Sequence, residues 1–256
     1  MQYALSPASL NILTRLSRER TLYAFDFDGT LSPIVEHPAL AGMRVRTRKL
    51  LDNLAELCPC AIVSGRARAD LLDRLSGVRI GHVIGNHGAE PATPSQNPHH
   101  RVARWKSALA LEINSLPGVW VEDKGMSLAV HYRQAPEKAE AHRRILAAAR
   151  NLERVKVFGG KLVVNLAPDD APDKGEALVA ERDRLGCDWV LYVGDDENDE
   201  DAFALDGNIV PVRIGQSQTS HARYYLRSQA EIDQLLELLV LNVTGRANDI
   251  RKPVPA

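Results

Sequence analysis

Short apolar runs and amphipathic stretches alternate through the first part of the chain. Residues 22–26, 60–63 and 82–85 are each built on a short apolar run, LYAF, CAIV and VI, as buried strands require. Between them, 45–57 and 67–75 repeat apolar positions at helical spacing, so half of a parallel sheet covered by helices is predicted. Pro91, Pro94 and Pro98 then mark the polar stretch 91–100 as a linker, which ends in His99 and His100. Beyond it the period changes to a helix at 101–116, strands at 119–124 and 127–133, a helix at 136–152, and strands at 154–158 and 161–166. Ala139, His142, Ile145, Leu146, Ala149 and Leu152 share one face of that second helix, and Gly125 and Gly159-Gly160 supply hairpin turns. This αββαββ order predicts a small antiparallel sheet with two helices on one side. Pro168 to Pro172 leads back to a helix at 174–185, a strand at 188–193, a helix at 199–206, strands at 208–212 and 223–226, and a helix at 228–241. The fold class is therefore α/β, with a discontinuous parallel-sheet core over 1–92 and 169–256 and an inserted α+β domain over 93–168. From Ala247 onward, charges and two prolines predict a mobile tail.

Chemistry gathers where the strands end. The run Leu22 to Phe25 delivers Asp26 to a carboxyl end, the place where open α/β sheets bind ligands. Asp28 lies two residues on, so like charges crowd unless a cation or a bent turn relieves them, and Gly29 permits the bend. An acidic turn closing a strand is also an ordinary structural use of these residues. The second strand ends in Ser64, Gly65 and Arg66, a hydroxyl, a flexible backbone and a guanidinium suited to phosphate oxygens, although a serine there also caps helices. Pro172-Asp173-Lys174-Gly175 puts Lys174 in the first turn of a helix, where a cation opposes the macrodipole unless both face a bound phosphate. Another strand ends in Gly194-Asp195-Asp196-Glu197-Asn198-Asp199-Glu200-Asp201, with six acids in seven positions. A helix N-terminus accounts for the later acids but not for the two at the strand tip. Hard oxygen ligands of this kind suit Mg²⁺.

Composition narrows the classes of function. With 256 residues, 45% hydrophobic and 25% charged, the chain can bury a sizeable core. A net charge of −1 leaves no nucleic-acid footprint. The first twenty residues carry Arg15, Arg18, Glu19 and Arg20 with no signal-length apolar stretch, and no window approaches a membrane span. A cytoplasmic monomer with no membrane partner is expected. Cys58, Cys60 and Cys187 are odd in number and lie in or beside apolar strands, which predicts buried free thiols.

Taken in order, DFDGT, SGR, the Pro172–Gly175 segment and GDDENDE resemble the four motifs of the haloacid dehalogenase-type phosphatases. The resemblance implies a Rossmann-like core in which Asp26 attacks phosphorus and Asp28 serves as general acid and then base. It further implies that Ser64 and Lys174 hold the phosphoryl group, and that Mg²⁺ is bound by Asp26, the main-chain carbonyl of Asp28 and Asp195, with Asp199 in the metal site. Carboxylates are competent for both catalytic roles.

A second set of segments is similar to those of trehalose-6-phosphate phosphatases: Gly85-Asn86-His87-Gly88-Ala89-Glu90, Glu122-Asp123-Lys124, His131-Tyr132-Arg133 and Gly160-Lys161. With the core motifs the likeness spans about residues 22–205. It implies that Glu122 and Lys124 reach from an inserted cap to sugar hydroxyls, that His87 and Glu90 approach from the core, and that Arg66 helps the phosphate end. Gly65, Asn86, His131, Arg133 and Lys161 join them as expected substrate contacts. Where those phosphatases carry a glutamate, this chain has Asn165, which can donate and accept but offers no anion. The expectation is a Mg²⁺-dependent hydrolysis of trehalose 6-phosphate, a small-molecule sugar phosphate, through an aspartyl-phosphate. A phosphatase for glucosyl- or mannosyl-3-phosphoglycerate, motivated by Asn165, and a silent sugar-phosphate sensor are the alternatives. Linkers at 91–100 and 167–172 are expected hinges for cap closure.

Overall fold

Two sheets built on different side-chain rules divide the chain. The structure, a computed structural model, describes residues 1–91 and 98–250, without the side chains of 246–250. The first half of the core runs β1 (Gln2–Tyr3), α1 (Pro7–Leu16), β2 (Thr21–Phe25), α2 (Val45–Leu57), β3 (Cys60–Val63), α3 (Arg68–Arg74) and β4 (His82–Ile84). The insert follows as α4 (His99–Ile113), β5 (Trp120–Asp123), β6 (Leu128–His131), α5 (Lys138–Ala149), β7 (Val155–Gly160) and β8 (Val163–Pro168). The core then resumes as α6 (Lys174–Arg184), β9 (Trp189–Gly194), α7 (Glu200–Phe203), β10 (Ile209–Ile214), β11 (Tyr224–Leu226) and α8 (Ile232–Ile250).

The larger sheet has seven parallel strands in the order β1-β11-β10-β9-β2-β3-β4. Its central strands are buried on both faces. Tyr23, Phe25, Ile62, Leu191 and Val193 pack with residues of α1, α2, α3 and α8, while Leu22, Ala24, Val63, Val190 and Tyr192 pack with those of α6 and α7. Chain order runs outward from β2 through β3 and β4 on one side, and outward from β9 through β10 and β11 on the other. The reversal between β2 and β9 opens a crevice beyond their carboxyl ends. Asp26 and Asp195 are the residues that follow those two strands.

The insert sheet is antiparallel, in the order β5-β6-β8-β7, with α4 and α5 on its apolar face. Leu128, Val130, Val164 and Leu166 enter that core, with Val121 partly buried against it.

Several local expectations need correction. The strand β7 continues through Gly160, so its hairpin turns at Lys161 and Leu162, the latter at φ +63°, not at the two glycines. The buried face of α5 is Ala141, Ile145, Ala148 and Ala149, whereas Ala139 is exposed and Leu146 and Leu152 only flank the core. The strand β1 and the helix α1 were not anticipated. The final helix extends to Ile250, so residues 247–250 are helical where a tail was expected, and 251–256 lie outside the described residues. The linker expected at 91–100 likewise lies largely outside them, since 92–97 are not described. No disulfide joins the three cysteines; Cys60 and Cys187 are buried as expected, whereas Cys58 is only half-buried. Among the described residues no helix is long and apolar enough to cross a membrane.

Candidate active site

Asp26 leaves β2 with its amide still bonded to the Val193 carbonyl at 2.8 Å, which fixes the carboxylate at the crevice floor. The turn behind it needs Gly29 at φ +82°, since a Cβ there would collide with the Asp195 carboxylate. Asp195 continues from β9 on the other side of the reversal. Lys174 arrives at the start of α6, whose capping box pairs the Asp173 side chain with the Glu176 amide at 2.9 Å and Glu176 with the Asp173 amide at 3.1 Å. That cap holds the helix start rigidly, and the buried Lys174 Nζ donates to Asp26 at 2.9 Å and to Asp199 at 2.7 Å.

These charges perturb one another. Burial alone would deplete the Lys174 ammonium of its proton, but the Asp199 and Asp26 carboxylates outweigh it and hold the group above the ordinary lysine value. Burial pushes Asp26 well above the carboxylate range; Lys174 opposes this, and the negative charges of Asp199, Asp195 and Asp28 reinforce it. Burial also pushes Asp195 up to about 6, against the pull of the Lys161 ammonium that contacts it from the insert. Asp199 goes the other way. Its burial is overcome by Lys174, by the Tyr192 hydroxyl at 2.6 Å, and by amides including that of Asp196.

This pattern bears on a metal. One oxygen each of Asp26, Asp195 and Asp199 lie within 4.8 Å of one another, a concentration of hard anionic donors that raises two of the three pKa values. Asp199 Oδ1 is occupied by Lys174 and Tyr192, and its Oδ2 by the amides of Asp195 and Asp196 at 2.8 and 2.9 Å. Asp195 Oδ1 is buried with no hydrogen-bond partner. A divalent cation would satisfy that orphaned oxygen and relieve the crowding, so Asp26 and Asp195 fit a Mg²⁺ site, with Asp199 acting by fixing Lys174.

The segment Ser64-Gly65-Arg66 is stitched to its neighbour. His87 and Asn86 donate their amides to the carbonyls of Ser64 and Arg66, at 3.0 and 2.7 Å, and both adopt positive φ. The His87 ring covers Gly65 so closely that a Cβ there has no room. Burial, reinforced by the positive charges of Lys124 and Lys174, holds His87 well below its usual pKa, so the imidazole is neutral. Neither of its ring nitrogens finds a well-aligned hydrogen-bond partner, although the Asn165 amide is a polar neighbour. Arg66 grips Asp28 with Nε at 2.5 Å and Nη2 at 2.7 Å, and reaches Asp70 at 2.7 Å. The two acids of the first motif thus each have their own cation.

The insert supplies the roof through strand alternation. Trp120 and Glu122 on β5, Ala129 and His131 on β6, and Val163 and Asn165 on β8 face the crevice, while the intervening residues face the insert helices. Register aligns Glu122, Ala129 and Asn165 in one row across the sheet, and Trp120, His131 and Val163 in the next. Glu122 accepts from His131 Nε2 at 2.8 Å; its burial is outweighed by His131 and Lys124, which keep its carboxyl low. Lys124 crosses to the Gly65 carbonyl at 2.8 Å, and burial lowers its pKa against the pull of Glu122 and Asp28.

Of the expected site residues, Asp26, Asp28, Ser64, Gly65, Arg66, His87, Glu122, Lys124, His131, Arg133, Lys161, Asn165, Lys174 and Asp195 line one cavity of about 190 Å³. Asn86, Glu90 and the fully buried Asp199 do not, and Asn86 and Glu90 are used elsewhere. Glu90 accepts from the Arg68 amide at 2.7 Å and from Asn86 Nδ2 at 2.6 Å, and Asn86 Oδ1 accepts from Ser127 at 2.5 Å. They fasten the 85–90 loop to core and insert alike. Sequence reasoning missed Trp120 and the segment Ile34–Pro38, which also line the cavity. Trp120 was detectable, since it precedes Glu122 by two residues on the same strand.

A family model described as trehalose-phosphatase matches residues 24–228. The trehalose-phosphate phosphatase of Mycobacterium tuberculosis (strain ATCC 25618 / H37Rv) is 33% identical over 237 residues, covering 84% of this chain and 60% of that protein. An uncharacterized glycosyl hydrolase of the same strain is 35% identical over 220 residues, 77% of this chain but 16% of its own length. The chain thus spans less than two thirds of these curated relatives. The C-terminal domain of C. albicans trehalose-6-phosphate phosphatase shares the fold at a TM-score of 0.74 and 23% identity, covering 94% of this chain and 98% of that one. Motif order, the shared crevice and the family match over most of the chain lead to one assignment: the chain belongs to the trehalose-phosphatase family.

Proposed function

We propose that the protein is a Mg²⁺-dependent phosphatase that hydrolyses trehalose 6-phosphate to trehalose and phosphate. The observation that carries this reading is the convergence of Asp26, Ser64, Lys174 and Asp195 in one cavity roofed by the polar row of the insert sheet. The chain divides into a core, 1–92 and 169–256, and a cap, 93–168, that closes over it. In the first step an Asp26 carboxylate oxygen bonds to phosphorus as the ester P–O bond breaks, and Asp28 in its acid form protonates the departing sugar oxygen. In the second, Asp28 as base takes a proton from water, whose oxygen bonds to phosphorus while the Asp26–phosphorus bond breaks and phosphate leaves. Arg66 aims the Asp28 carboxylate, and Ser64 and Lys174 hold the phosphoryl oxygens. Held by Asp26, Asp195 and the Asp28 carbonyl, Mg²⁺ would neutralise charge on the transferred group.

Glu122, Lys124 and Asn165 offer the donors and acceptors that buried sugar hydroxyls need, each unpaired hydroxyl costing about 1–3 kcal/mol. Asn165 keeps the phosphoglycerate esters as a second reading, because a neutral amide lines the cavity there. Phosphate release is measured on trehalose 6-phosphate, glucosyl- and mannosyl-3-phosphoglycerate, with Asp26→Asn as control. Preferential, Mg²⁺-dependent turnover of the disaccharide phosphate, abolished in the control, supports the proposal. Equal or faster turnover of either glycerate ester overturns the substrate, and full activity of the control overturns the mechanism.

A further inference from the structure

The chain has three tryptophans, at 105, 120 and 189, and they are used differently. Trp105 is buried in the insert core and donates its indole N–H to the Glu153 carbonyl at 3.1 Å. Trp189 is half-buried beneath the Arg15 guanidinium, whose carbon lies 4.6 Å from the ring centre. Trp120 alone of the three faces the crevice, and it remains 42% exposed. One face of its indole lies on the His131 ring, with centroids 4.1 Å apart and planes within 13°. His131 is itself anchored through Nε2 to Glu122 at 2.8 Å. The indole is therefore braced at the cavity wall by the His131 ring.

Position along the sheet says what the indole meets. Lys124, whose Nζ reaches the Gly65 carbonyl, marks the phosphoryl end of β5. Trp120 lies four residues back, about 13 Å away along an extended strand. The hairpin bearing Lys161, which contacts Asp195, belongs to β7 and β8, and β5 stands two strand spacings from β8, about 10 Å. By both routes Trp120 sits at the end of the cleft remote from the phosphoryl chemistry. A pyranose presents flat patches of C–H bonds with hydroxyls around its rim, and an aromatic face beside a carboxylate matches both features.

Resting on the proposed function, we infer that Trp120, backed by His131, is the platform for the sugar ring that does not carry the phosphate. It makes the enzyme prefer a disaccharide phosphate to a monosaccharide phosphate.

The test compares wild type, Trp120→Ala and Trp120→Phe on trehalose 6-phosphate and glucose 6-phosphate, with thermal midpoints checking the fold. Trp120→Ala is expected to raise KM for the disaccharide phosphate about tenfold, the loss of one stacking contact, with kcat within about twofold. Constants for glucose 6-phosphate stay unchanged, and Trp120→Phe recovers most of the affinity. Tryptophan fluorescence of the wild type shifts on titration with trehalose, and the shift is absent in Trp120→Phe. Equal losses on both substrates, or no loss, overturn the platform. If wild type leaves trehalose 6-phosphate intact, the proposed function falls, and the trehalose titration decides the platform separately: no shift overturns it.

Discussion

Replacing Lys174 with Met removes the one positive charge bonded to both Asp26 and Asp199. At an effective dielectric of about 20, contacts of 2.9 and 2.7 Å are each worth about 6 kcal/mol before solvation. Burying three charged groups offsets most of that gain in the wild type. In the variant the two carboxylates remain buried with oxygens within 4.8 Å, a repulsion of about 3 kcal/mol at the same dielectric. A net loss of about 3–5 kcal/mol in unfolding free energy is expected, the usual cost of stranding a buried charge. The pH dependence has a definite sign. Asp199 is held low in the wild type, so its stabilisation is present above the unfolded carboxylate value and disappears as pH falls through the folded one. Without Lys174 both carboxyls rise in the folded state, which imposes a penalty that is complete at high pH and absent below the unfolded value. Urea unfolding of both proteins without added metal, at about pH 8 and about pH 5, should show the difference shrinking as pH falls. A difference under about 1 kcal/mol, or one independent of pH, would refute the reasoning.

Two further outcomes follow from the acidic cluster. Calorimetric titration with Mg²⁺ should show binding to wild type and none to Asp195→Asn, with affinity weakening as pH drops through about 6, because the Asp195 carboxyl must release its proton first. Affinity unchanged between about pH 7.5 and 5.5 would count against that site. Gly29→Ala places a methyl against the Asp195 carboxylate from a backbone at φ +82°. Strain of about 1–2 kcal/mol should lower the thermal midpoint by about 2–8 °C, while Mg²⁺ binding and turnover are lost outright; retained Mg²⁺ affinity would contradict the collision.

The parallel core and its site were legible because function and fold share a rule: ligands gather where strands end and the chain order reverses. Three of the four motifs close an apolar run and the other opens a helix, so their residues could be placed before any contact was known. What could not be read is the direction in which a side chain turns. Asp199 is expected among the metal ligands, yet its four bonds make it the anchor of Lys174. Asn86 and Glu90 lie in a segment expected to contact substrate, and they bind each other instead of lining the cavity. Trp120 reads as an edge-strand aromatic until its register with His131 is known. The helix α1 had signals that were passed over, a Ser6 N-cap followed by Pro7, hidden by the charges further along.

Packing and recognition residues interleave one for one along β5, β6 and β8, which limits how this roof can diversify. A single insertion or deletion within any of these strands would turn its cleft-facing residues into the helices and push Val121, Val130 or Val164 into the cleft. New substrate ranges are open to such a lid by point replacement, or by lengthening the tips at Gly125 and Leu162, which lie beyond the ladder. Specificity here can drift in chemistry but not in phase.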